Sequence, residues 1–169
     1  STSQVQQGRH GMAWPPSGQF WCTPLSRSVA VIMGDVVIAS VTSASLDVGA
    51  HLDAVATPES GASANFLGVV RNHDAGHSVA SLEYQSHPTA GAVLEQLAAQ
   101  IAARPGVHRV AVSHRADARL EVGDTAIVCA VSAAHRGEAF EACSELVERI
   151  KHELPVWKLQ TRTDGSQDW

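Results

Sequence analysis

The chain has 169 residues, 44% of them hydrophobic and 17% charged, which suits one globular domain with a core of its own. Only 5% are aromatic, so that core must be built from Val, Ala, Leu and Ile. A formal net charge of −5 gives no counterion-release gain on DNA or RNA, so nucleic acid is not the expected partner; no apolar run approaches the ~20 residues of a membrane-spanning helix.

Residues 1–34 are rich in Ser, Gln, Gly and Pro and show neither strand nor helix period. They read as an N-terminal extension (linker, arm or upstream sequence), and 35–169 as the domain. VVIASVT (36–42) is β-branched and reads as a strand. Asp47 is placed to cap a short helix, DVGAHLDAVA, closed by Pro58 and Gly61. ASANFLGVV (62–70) reads as a buried strand and RNHDAGHS (71–78) as a polar loop. VASLEYQSH (79–87) alternates, with Ala80, Leu82 and Tyr84 on one face, and reads as a half-buried strand able to pair with the strand before it.

TAGAVLEQLAAQIAAR (89–104) carries a helical stripe that ends at Pro105-Gly106. VHRVAVSH (107–114) reads as a strand, 116–124 as a turn region, and TAIVCAVS (125–132) as a central strand. EAFEACSELVERIKHEL (138–154) is the clearest helix: Phe140, Cys143, Val147, Ile150 and Leu154 step by three and four. Pro155 stops it before a last strand, VWKLQTR (156–162). The order β-α-β-β-α-β-β-α-β describes an α+β domain, a mixed and largely antiparallel sheet with packed helices.

The three cysteines, Cys22, Cys129 and Cys143, are odd in number, form no CxxC and match no zinc spacing; they read as free thiols of a reducing, cytoplasmic compartment. Cys129 and Cys143 fall on buried faces, not at an exposed thiolate site. Nine histidines include no HxH or HExxH, and no metal site is expected. Neither a glycine-rich phosphate loop nor a nucleophile elbow is present.

Basic residues remain. Lys151 lies in the last turn of the clearest helix, where a cation is favourable, and Lys158 follows on the next strand. Either both are solvated, one of them snorkelling, or they face one space and depress each other's pKa until an anion arrives. His135 and Arg136 sit at a strand-to-helix turn, which offers free N–H groups and a forked donor to an anion. Arg71 ends a buried strand. Converging at element ends, these groups describe an anion pocket without naming a reaction.

The segments NFLGVVRNH (65–73), SLEYQSH (81–87), HRADARLEVGD (114–124), VSAAHRGEAFEAC (131–143) and ERIKHELPVWK (148–158), with DGSQDW (164–169), run in an order that resembles the large, catalytic subunit of molybdopterin synthase. The resemblance covers about 36–169 and implies that family's hammerhead α+β fold. It implies a sulfurtransferase that converts cyclic pyranopterin monophosphate to molybdopterin, in molybdenum cofactor biosynthesis. Two sulfurs arrive as a C-terminal Gly-Gly thiocarboxylate on a small ubiquitin-like sulfur-carrier subunit, and no permanently bound cofactor is involved. A homodimer with one small subunit at each end, a heterotetramer, is expected. By position, the resemblance makes Lys151 and Lys158 catalytic. It assigns Phe66, Val69, Val70, Arg71, His135, Arg136, Leu159 and Gln160, together with both lysines, to the substrate site. Gln160 departs from the family's WKxE pattern, which carries an acid there. That loss leaves a second expectation, a weakly active paralogue that binds the carrier or the pterin without efficient turnover.

Overall fold

The computed structural model describes residues 33–74 and 77–168. The expected N-terminal extension lies outside the described residues, apart from positions 33 and 34, as does Cys22. Strands β1 (Asp35–Thr42), β2 (Ala62–Val69), β3 (His73–Asp74), β4 (His77–Ser86), β5 (Val107–Arg115), β6 (Ala118–Glu121), β7 (Thr125–Ala133), β8 (Val156–Arg162) and β9 (Gln167–Asp168) alternate with helices α1 (Val48–Val55), α2 (Ala90–Ala102) and α3 (Arg136–Glu153). The fold is α+β, as the element pattern implies, but its strands form two sheets. One has the order β1-β5-β7-β2; the other runs β3-β4-β8-β9, with β6 also on β4. The β1–β5 pairing is parallel, and every other pairing is antiparallel.

The inner strands of the first sheet are apolar along nearly their whole length because both of their faces are covered. On one face Val110, Val112, Cys129 and Val131 meet Leu94, Ile101, Leu146 and Ile150 of α2 and α3. On the other, the small residues Ala111 and Ala130 let α1 approach through Val55. Asp47 caps α1 by accepting from the Ala50 N–H at 2.9 Å, as its position suggests. Buried His51 ties the helix down: its Nδ1 donates to the Asp47 carbonyl at 2.6 Å, and its Nε2 meets Ser113 Oγ at 2.8 Å.

Five local expectations need correction. ASANFLGVV forms β2, but not as a buried strand: it ends the first sheet beside β7, with Ala64 buried and Phe66, Leu67 and Val69 exposed. Phe140 is not in the core of α3 but 67% exposed. The buried face is Ala139, Ala142, Cys143, Leu146 and Ile150, because small residues let the helix sit close on the sheet, and Phe140 points about 100° away from Ala139. The region 116–124 contains β6, too short to display a period. The loop 71–78 likewise contains β3 and the start of β4. Finally, β4 does not pair with β2: it takes β8 on one flank and β3 and β6 on the other.

The reason for that last difference lies at Gly68. A β-bulge breaks the β2–β7 register between Gly68 and Val69. A Cβ at Gly68 would stand 2.4 Å from Ile127 Cγ2, so only glycine permits this approach. Past the bulge, Val70 donates its N–H to the Asp124 carbonyl at 2.9 Å and accepts from the Gly123 N–H at 2.8 Å. The chain thereby leaves the first sheet and delivers Arg71 to the second.

Candidate active site

The second sheet builds a cleft of about 150 Å³ whose lining includes Val69, Arg71, Asp74, Tyr84, Lys158 and Gln160. Strand alternation accounts for the set. Lys158 stands opposite Tyr84, and Gln160 opposite Leu82, in the β4–β8 register, so all four share a face. Asp74 lies at the end of β3 and joins the two cations. Its Oδ1 accepts from Arg71 Nη2 and its Oδ2 from Lys158 Nζ, each at 2.9 Å. The Lys158 hydrogen bond, then its charge, then Arg71, hold the Asp74 carboxyl below the ordinary aspartate range. Burial and, after it, the Asp74 charge push the Tyr84 phenol up.

The residues expected at the site divide among several places. Arg71, Lys158, Gln160 and Val69 line this cleft. Val70 does not: it is buried with Leu120 and Ala126 and anchors the strand exit beneath Arg71. Leu159 falls on the opposite face of β8 by alternation, half-buried. Phe66 lines a different groove, about 280 Å³, between β2 and α3, with Phe140, Cys143 and Val147. Lys151 is exposed and lines neither, but it lies one turn beyond Val147, so the groove runs toward it along the same helix face.

His135 and Arg136 are exposed at the N-terminal end of α3. Arg136 and Lys151 are fifteen positions apart on one continuous helix, so ~22 Å of axis separates them. The basic groups of one chain therefore do not converge on one cavity. They form an Arg71–Lys158 cleft, a Lys151 position at the C-terminal end of α3, and a His135–Arg136 position at the other end.

Asp74 and Tyr84 are the polar cleft residues that sequence reasoning passed over, beside the apolar Val79 and Leu82. Tyr84 was visible on the inward face of its strand. Asp74 had no local signal in a polar loop; the hint was Gln160, which leaves Lys158 without the carboxylate expected nearby. The two domain thiols are buried, as their positions suggested. Burial raises both, Cys143 to about 11 and Cys129 further. Among the described residues no three His, Cys, Asp or Glu side chains gather as metal ligands would, and no helix is long and apolar enough to cross a membrane.

Comparison with known proteins adds the context for these positions. A family model described as "MoaE protein" matches residues 41–153. A molybdopterin synthase catalytic subunit of Nostoc sp. is 44% identical over 104 residues, 60% of this chain and 62% of that protein, so the match spans less than two thirds of its length. The molybdopterin synthase catalytic subunit 1 of Mycobacterium tuberculosis is 40% identical over 131 residues, 75% of this chain and 86% of that one. Among solved structures, the molybdopterin biosynthesis MoaE protein of Burkholderia ambifaria superimposes with a TM-score of 0.65 at 33% identity, covering 81% of this chain and 88% of that one. Molybdopterin synthase from Staphylococcus aureus superimposes at 0.68 and 29%, covering 81% and 96%.

Proposed function

The chain belongs to the MoaE protein family, and on that premise we propose that it is the catalytic subunit of a molybdopterin synthase. On this reading it is a cytoplasmic sulfurtransferase that turns cyclic pyranopterin monophosphate into molybdopterin with no resident cofactor. The observation that carries the reading is the paired donation of Arg71 and Lys158 to one carboxylate in a cleft of the family's domain. Two convergent cationic donors suit a phosphate.

The remaining positions fit roles around that seat. Lys151 has no side-chain partner among the described residues and ends the helix face that the Phe66–Val147 groove follows. A thin Gly-Gly tail of a small ubiquitin-like carrier, lying in that groove, would bring its thiocarboxylate to the Lys151 ammonium, which stabilises the anion. His135 and Arg136, too distant within one chain, would serve the site of a second copy. We therefore read the working unit as a homodimer carrying one small subunit at each end, with each substrate site drawing on both large subunits.

Reconstitution tests this. Purified protein is mixed with thiocarboxylated carrier and cyclic pyranopterin monophosphate, and molybdopterin is measured. The expected result is product from the native chain and a loss of about a hundredfold or more in Lys151→Ala, on the scale of removing one positioned charge from an active site. Carrier binding without product from the native chain would replace this reading with a non-catalytic binder. Full turnover by Lys151→Ala would remove that lysine from its role.

A further inference from the structure

The cleft already holds an anion of its own. Asp74 spends one carboxylate oxygen on each cation, Arg71 at 2.9 Å and Lys158 at 2.9 Å. Arg71 and Asp74 lie three positions apart at the strand exit and β3, while Lys158 reaches them from β8, 84 positions beyond Asp74 along the chain. Gln160 on the same strand face as Lys158 is neutral, and Asp74 is the one carboxylate among the described residues that line the cleft. A phosphate presents to a guanidinium and an ammonium what a carboxylate does, paired oxygens on one central atom. It would seek the space that the Asp74 carboxylate fills.

We propose that Asp74 is an internal counter-ion seated where an anionic ligand binds, and that the ligand must displace it to reach Arg71 and Lys158. Asp74 is then a specificity-determining residue: it sets how strong an anion must be to enter. Exposure decides that the arrangement is displaceable. The Arg71, Asp74 and Lys158 side chains are 68%, 31% and 40% exposed, so each ion pair is held weakly in water and gives way to a better-matched partner. A buried triad would be locked by the cost of leaving one charge unpaired. The depressed carboxyl of Asp74 keeps the counter-ion charged at neutral pH, so the competition is between two anions.

The inference deepens the proposed function by regulating the same seat, but its test needs no turnover. Inorganic phosphate is titrated calorimetrically into the native protein, Asp74→Asn, and Asp74→Asn combined with Lys158→Gln. Asp74→Asn is expected to bind phosphate about three- to tenfold more tightly, the scale of two exposed ion pairs no longer to be broken. The double variant is expected to lose the gain. Asp74→Ser provides the same release with a smaller side chain should the amide rebuild the contacts. Unchanged or weaker phosphate binding in both Asp74 variants, or no phosphate binding by any of the proteins, overturns the proposal. A tighter Asp74→Asn with no molybdopterin from reconstitution would sink the functional reading and leave this one standing. Product formation with unaltered phosphate affinity would do the reverse.

Discussion

His114 shows how a single buried side chain ties the stability of the fold to pH. It is buried beside Tyr84, the rings meeting edge-on with centroids 5.0 Å apart, and its Nδ1 donates to the Arg115 carbonyl at 3.0 Å. Burial pushes its pKa down, with that hydrogen bond a smaller opposing effect. The unfolded chain takes up this proton as pH falls through roughly 6.5; the folded chain does not, so stability declines toward acid. Urea unfolding should show a midpoint that drops between pH 7.5 and 5.5 more steeply in the native protein than in His114→Gln; equal slopes would remove His114 as the cause. Asp74 acts in a separate window. Its folded pKa is depressed, so its contribution is present above the ordinary aspartate pKa and fades only as pH falls below that, through the folded value. At this scale the sequence was half legible. Arg71 and Lys158 stood out as cations at element ends. Their counter-ion did not, because a carboxylate in a polar loop looks the same whether it is solvated or paired 84 positions away.

Helix α3 shares with α2 the covering of one face of the first sheet. Leu146 is fully buried between it and the first sheet, so Leu146→Ala should destabilise by roughly 2–5 kcal/mol. Phe140→Ala, on the open side of the same helix, should stay within about 0.5 kcal/mol. Paired denaturant unfolding curves check both, and a large loss at Phe140 would return it to the core. All three helices and the long strands were legible because burial on one stripe or in one layer imposes its period on the residues. β3 and β6 were not, since two to four residues cannot display a period. The failed β2–β4 pairing has a different origin. One glycine and its bulge redirect the chain, and a strand pattern does not reveal to which sheet a strand belongs.

At the scale of the molecule, the division into two sheets was beyond the sequence because it rests on pairings between distant segments. The same geometry sets the last prediction. If α3 holds Arg136 and Lys151 for two different sites of a homodimer, mixing inactive Arg136→Ala with inactive Lys151→Ala should restore molybdopterin synthesis. Random reassortment leaves one intact site in half of the dimers, so about a quarter of native activity should return; no recovery on mixing would confine the site to one chain. The edge position of β1 carries a consequence of another kind. Among the described residues its one strand partner is β5, with Asp35 aligned to Arg109, 74 positions downstream. During translation the segment 35–42 must wait roughly 4–15 s for that partner to be made. The earliest of these strands to leave the ribosome thus has no strand to pair with until β5 follows it, and while it waits its β-branched run is open to whatever meets a nascent chain.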